Sequence, residues 1–171
     1  MDTWRTNNER AKRRAVALIS GVPFTRMIAL TGSLAEDRET KNSDIDFFIQ
    51  IKPGHIWLSR AIITILIGMA GIRRTDTSIA GKICLNWYAT FKAPEKQGGR
   101  AYNVLWQEKP KLPILKSFFE FLFSGYMGKL LENIARNYQI KRIERDPRTH
   151  SKGSEVRYSD TELGFHPHTK A

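Results

Sequence analysis

A chain of 171 residues, 41% of them apolar, can fill one core and is short for two separate domains. Its single cysteine, Cys84, excludes an intramolecular disulfide and reads as a buried core thiol in a reducing compartment. The formal charge of +11 admits anionic partners, whether nucleotide, nucleic acid or acidic protein, yet no basic block is interleaved with aromatics as a single-strand platform requires.

The first 14 residues are polar and charged, with no apolar region following in signal-peptide fashion. The longest apolar stretch, residues 61–72, is interrupted by Thr64, and spanning a bilayer takes about 20 residues. A cytoplasmic protein without a membrane partner is expected.

Residues 4–19 read as an amphipathic helix, with Ala11, Ala15, Leu18 and Ile19 at helical spacing and Arg10, Lys12, Arg13 and Arg14 on other faces. Gly21 and Pro23 stop it. Residues 24–30 form a first strand that delivers Gly32 and Ser33 into a turn. Ser33-Leu34-Ala35-Glu36 has the form of a capping box, in which Ser33 would start a short helix and Glu36 reach back. The loop 37–43 is polar, and residues 44–51 form a second strand ended by Pro53-Gly54.

Alternation on that second strand puts Asp44 and Asp46 on one face and Ile45 and Phe47 on the other, with the two aspartate Cα atoms roughly 6.6 Å apart. Two unpaired anions side by side are costly to bury, so a cation is their natural partner. Residues 56–70 are apolar nearly all round, and the closing Gly71 favours a buried helix over a strand. Arg60, Arg73 and Arg74 flank it; spacing selects none of them for a phosphate, and surface charge is the ordinary reading.

A third strand over 82–91 has Leu85, Trp87 and Ala89 on one face and Cys84, Asn86 and Tyr88 on the other. Residues 94–100 form a loop containing Gly98-Gly99, and 102–107 are a fourth strand or a short helix. Pro113 opens a long helix running to about residue 140. Its seam is Leu115, Phe118, Phe119, Leu122, Tyr126, Leu130, Ile134 and Tyr138. A seam of this kind is usually core packing, and a docking face for a partner is the other reading. Gly125 and Gly128 mark a break or a close helix contact. After Arg145 the chain is polar and reads as a flexible tail, where His166 and His168 are a metal pair or, more ordinarily, unliganded.

A Gly32-Ser33 turn followed by Asp44-Ile-Asp46 on the next strand resembles the DNA polymerase beta-like nucleotidyltransferase superfamily. The resemblance implies an α/β fold, a small mixed sheet flanked by helices with a C-terminal helical segment. It divides the chain into a nucleotidyltransferase-like core over 1–97, a helical extension over 98–145 packed on that core, and a polar tail over 146–171. In such proteins the Gly-Ser pair grips a nucleoside triphosphate, which assigns that role to Gly32 and Ser33. The two aspartates bind Mg2+ (or Mn2+), which assigns that role to Asp44 and Asp46. A third acid on a later strand completes the site, but here that position holds Asn86, and no acid occupies residues 77–94.

Asn86 can offer a neutral carbonyl oxygen but cannot take a proton near neutral pH. Either the metal alone activates the acceptor, or another acid such as Asp76 joins the site, or nucleotide is bound without transfer. The implied reaction moves a nucleoside monophosphate from an NTP to an unidentified acceptor hydroxyl on a protein or small molecule. The alternative is an antitoxin-like, nucleotide-binding interaction module pairing with a helical protein. Nucleic acid is a less favoured partner, resting on charge alone.

Overall fold

Strict alternation along the two central strands decides where the helices pack. The computed structural model describes residues 3–90, 102–109, 113–152 and 154–166. On β1 (Thr25–Thr31) Ile28 and Leu30, and on β2 (Ile45–Ile51) Ile45, Phe47, Ile49 and Ile51, point into one large core. Helix α1 (Thr3–Ser20) brings Ala15 and Ile19 to it, and α3 (Ile56–Met69) brings Ile56, Trp57, Ile63 and Ile67. The other face of the same strands carries Met27, Ala29 and Phe48, which form a smaller apolar cluster with Ala89 and the partly buried Trp87. A one-turn helix, α2 (Gly32–Ala35), sits between β1 and β2.

The sheet has six strands in the order β4-β1-β2-β3-β6-β5, with β3 spanning Ile83–Ala89, β4 Asn103–Gln107, β5 Glu155–Tyr158 and β6 Glu162–His166. β2 and β3 are parallel, joined by the α3 crossover, and every other pairing is antiparallel. This is the mixed α/β arrangement expected. Residues 103–107 are a strand, and they extend the β1 edge of the central sheet instead of starting a helical unit. The expectation of a flexible tail after residue 145 is corrected in the same way. Residues 155–166 make a hairpin on the free edge of β3, with Leu163 fully buried and Val156 and Phe165 packed on the large core. Three apolar side chains suffice for two short edge strands, and polar composition hid them. The Gly98-Gly99 loop and the His166/His168 side-chain pair lie outside the described residues.

The long C-terminal helix is two helices, α4 (Ile114–Ser124) and α5 (Tyr126–Arg145), broken at Gly125, whose backbone is extended with φ −88 and ψ −159. At Gly128 any side-chain carbon would overlap the carbonyl of Phe123, so the two glycines have separate jobs, one breaking the helix and one allowing its ends to touch. The aromatic seam does not pack inward. Of its members Leu115 is 68% exposed, Phe118 57% and Tyr126 80%, and the neighbouring Ile114 and Phe121 are exposed too, whereas Lys116, Glu120, Glu132 and Gln139 are buried.

Bonding explains the inversion. Glu120 accepts the Phe24 N–H at 2.7 Å and pairs with Arg26 at 2.8 and 2.9 Å. Lys116 donates to the Thr25 carbonyl at 2.7 Å and pairs with Glu108 at 2.8 Å, and Arg26 also reaches Glu108 at 3.0 Å. Two cations and two anions close a neutral, charge-assisted network, the form in which buried charge is tolerated.

Glu132, on α5, accepts the Trp57 and Leu58 N–H groups at 2.9 and 2.8 Å, while Gln139 donates to the Trp57 carbonyl at 2.8 Å. These N–H groups belong to the first turn of α3, where the N-cap His55 makes no side-chain bond. Glu132 is therefore a cap supplied from another helix. Replacing Glu132 with Ala leaves both N–H groups buried without an acceptor and should cost about 2–4 kcal/mol, read from the urea midpoint. Glu132→Gln keeps one accepting oxygen and should cost about half as much.

Candidate functional site

β1 ends at Thr31, directly opposite Asp46 of β2. The chain then turns through Gly32 in the left-handed region, φ +70, where a Cβ would come within 3.2 Å of the Asp46 Cγ and closer still to its Oδ2. Glycine is required here twice over, by backbone conformation and by the carboxylate pressed against it. Ser33 follows within α2, but the expected capping box does not form. The N-cap is Thr31, whose side chain makes no capping bond and instead donates to the Asp46 carbonyl at 3.4 Å, and Glu36 pairs with Arg38. Among the described residues the Ser33 hydroxyl has no hydrogen-bond partner.

Asp44 and Asp46 converge, and β3 brings Cys84 beside them, so that ligand atoms of all three lie within 4.8 Å of one another. Asp46 and Cys84 are register partners across the parallel pair. Just beyond them the register shifts by one residue, from Asp46↔Cys84 to Phe48↔Trp87. This bulge turns Asn86 and Trp87 to the same side and sends Tyr88 into the large core with Leu85, which corrects the unbroken alternation expected for the strand.

The Asn86 side-chain nitrogen donates to Asp46 Oδ1 at 2.8 Å. The reverse amide orientation would set two oxygens against each other, so the donor assignment follows from chemistry. The Asn86 carbonyl oxygen is left buried with no described partner. Burial first, and the charge of Asp44 second, push the Asp46 carboxyl up to about 6, while the Cys84, Arg74 and Asn86 contacts pull it the other way. Burial, then the two aspartates, also push the Cys84 thiol up, so it stays protonated. Cys84 lies on this face, half-buried, instead of in the core as expected.

Arg74, which spacing did not select, bonds Asp44 Oδ2 through NH1 at 2.6 Å. Asp76 does not join the site; it is exposed and pairs with Arg148 at 2.9 Å. Arg60 is not surface charge either. It is half-buried on the helical side of the sheet, bonded to Gln139 and lying 4.4 Å over the Phe165 ring. Alternation had already put Cys84 on the Asn86 face, but no sequence signal pointed to Arg74, which arrives through the turn after α3.

Two carboxylates and a buried, unpaired amide oxygen are hard oxygen donors of the kind Mg2+ and Mn2+ take, and a cation would remove the cost of keeping Asp46 ionised out of water. The protonated Cys84 is a poor ligand for either ion. Residues 16–69 match the family model of the nucleotidyltransferase domain, within the DNA polymerase beta-like superfamily. The matched segment takes in Gly32, Ser33, Asp44 and Asp46 and ends before Arg74, Cys84 and Asn86. No curated protein and no solved structure matches the chain.

The raised Asp46 carboxyl has a consequence for stability. Between its ordinary value of 3.8 and about 6 the folded chain holds a proton that the unfolded chain has lost, so stability present below pH 4 is lost as pH rises through 6. Asp46→Asn removes that cost and keeps an oxygen for the Asn86 amide. In metal-free buffer at pH 7 it should gain about 1–2 kcal/mol, roughly 2–4 °C of melting temperature per kcal/mol, with the gain vanishing at pH 4. A lower melting temperature for the variant at pH 7 would mean that the Asp46 charge is already compensated.

Proposed function

We propose that the nucleotidyltransferase domain matched by residues 16–69 is a working metal-dependent transferase, moving a nucleoside monophosphate from an NTP to an acceptor hydroxyl on a protein or small molecule and releasing pyrophosphate. The observation that carries this reading is the convergence of Asp44 and Asp46 beside the left-handed Gly32, with the buried Asn86 oxygen unpaired next to them. Asp44 and Asp46, with the Asn86 oxygen at hand, would hold Mg2+ or Mn2+. The bound metal would neutralise triphosphate charge and lower the pKa of the acceptor hydroxyl.

The Gly32 backbone and the Ser33 hydroxyl are the groups for the outer phosphates, and among the described residues nothing else bonds that hydroxyl, which supports the assignment. Asn86 acts by donating to Asp46, which fixes the carboxylate's orientation without adding charge. With no third carboxylate among the described residues of the cluster, a metal held by Asp44 and Asp46 would lower the pKa of the acceptor hydroxyl and its proton would pass to solvent. A free-nucleotide substrate and a lone reduced thiol fit a cytoplasmic setting.

The test is transfer of label from each of the four α-labelled NTPs with Mg2+ or Mn2+. Asp44→Ala and Asp46→Ala should each lower transfer by about 10²–10³-fold. Equal signal from the variants would remove the assignment. Asn86→Asp restores a third carboxylate and should raise turnover; unchanged turnover with metal binding intact would mean that the acceptor side is organised differently.

The outward apolar face of α4 and α5 favours a second reading, an interaction module that pairs with a helical protein. On this reading the protein purifies with a second, helical chain, so that the native mass by light scattering exceeds that of one chain, and Phe121→Ser with Tyr126→Ser releases that second chain. A wild-type protein that is monomeric, and active by itself, removes it.

A further inference from the structure

α3 ends at Met69, and Gly71, in the left-handed region at φ +69, turns the chain back along β3. Arg73 bridges Ile83 in parallel, and the Arg74 N–H donates to the Ile83 carbonyl at 2.9 Å. These bonds anchor the Arg74 backbone beside the start of β3, across from Asp44. From there NH1 reaches Asp44 Oδ2 at 2.6 Å and Cys84 Sγ at 3.5 Å. The ligand atoms of Asp44, Asp46 and Cys84 lie within 4.8 Å of one another, so a guanidinium nitrogen this close to two of them fills the volume that a cation on Asp44 would take.

We propose that Arg74 is the resident cation of the site, held on Asp44 until a divalent metal arrives together with the triphosphate, so that metal enters as its nucleotide complex and not as a free ion. The inference rests on the nucleotidyltransferase reading and adds an order of binding to it. Asp44 and Asp46 carry two negative charges, Asn86 none, and Arg74 cancels one. A free divalent ion meets a site of low net charge, and on binding Asp44 it must both break the ion pair and sit beside the released guanidinium. A triphosphate changes the balance, because its oxygens accept the planar guanidinium fork that leaves Asp44. The Arg74 side chain can make that move: 43% of it is exposed, and its only described side-chain bonds are those to Asp44 and Cys84. Its backbone bond to β3 stays in place while the side chain swings.

Electron paramagnetic resonance titration of Mn2+ tests this on the full chain, for wild type and Arg74→Gln, with and without a non-hydrolysable NTP analogue. For wild type, free Mn2+ should bind weakly and the analogue should tighten it by about tenfold or more. Arg74→Gln should bind free Mn2+ about tenfold more tightly than wild type and should lose most of the tightening by the analogue. Equal or weaker free Mn2+ binding by Arg74→Gln, with the Mn2+–analogue complex still bound by both proteins, overturns the role of Arg74 and leaves the transferase reading standing. If neither protein takes Mn2+ even with the analogue, both fall together. Because Arg74 is exposed and its substitution touches no core residue, circular dichroism should be the same for the two proteins.

Discussion

An ionisable carboxyl kept largely out of water at Asp46 is the constraint to which the middle of this molecule is fitted. Its position opposite Thr31 requires the chain to leave β1 through a residue without a side chain, and Gly32 is there. Alternation along β3 puts Asn86 on the same side as Cys84, where its amide can donate to the carboxylate, and the bulge redirects Trp87 and Tyr88. Each adjustment makes sense only if the carboxyl must stay where it is. A sheet selected for stability alone would have an apolar residue between Ile45 and Phe47 on that face, or would leave the position open to water. Desolvation of an ionisable group on the open face of a mostly apolar strand is costly, and the proposed metal site is what would offset it.

The C-terminal helices solve a different problem by similar means. Two of their buried acids, Glu120 and Glu132, accept backbone N–H groups of the domain they cover, one at Phe24 before β1 and the other at the first turn of α3. Attachment by polar clips frees the apolar side chains of α4 from inward packing, which is why they face out. It also makes the helices part of the site's support. Phe24, held in the left-handed region at φ 68 with its N–H on Glu120, leads directly into β1, and α3, capped by Glu132, ends at the turn that presents Arg74.

Much of this was legible from spacing. Alternation found β1, β2 and β3 to within two residues at either end, and the Asp-Ile-Asp interval anticipated the meeting of the two carboxylates, although Asp44 lies one residue before β2 and converges on Asp46 from outside the strand. The C-terminal seam misled for a physical reason: helical periodicity reports which side chains share a face, not which way the face points. Direction was decided by Lys116, Glu120 and Glu132, whose charges look like surface residues until their backbone and ion-pair partners are known. The edge hairpin escaped because Val156, Leu163 and Phe165 are too few to raise the apolar signal of a polar stretch. Arg74 was invisible because its reach to Asp44 depends on a turn and one backbone bond to Ile83, neither of which leaves a periodic trace.

Charge balance gives the neutral residue at position 86 a rationale of its own. Three carboxylates in this space would repel one another in the absence of metal, and the most buried of them would hold its proton well above the usual range. Asn86 avoids that state: it keeps the hydrogen bond that orients Asp46 and brings no third charge. Arg74 then offsets one of the two charges that remain. On the proposed reading the pair would make the metal-free protein tolerable at the cost of affinity for a bare ion, and a triphosphate would bring the negative charge that a third acid would have supplied. On this argument Asn86 and Arg74 are a single adaptation. Putting a carboxylate back at position 86 while Arg74 stays, or removing Arg74 while Asn86 stays, shifts the balance in the same direction, each making the site one charge more negative.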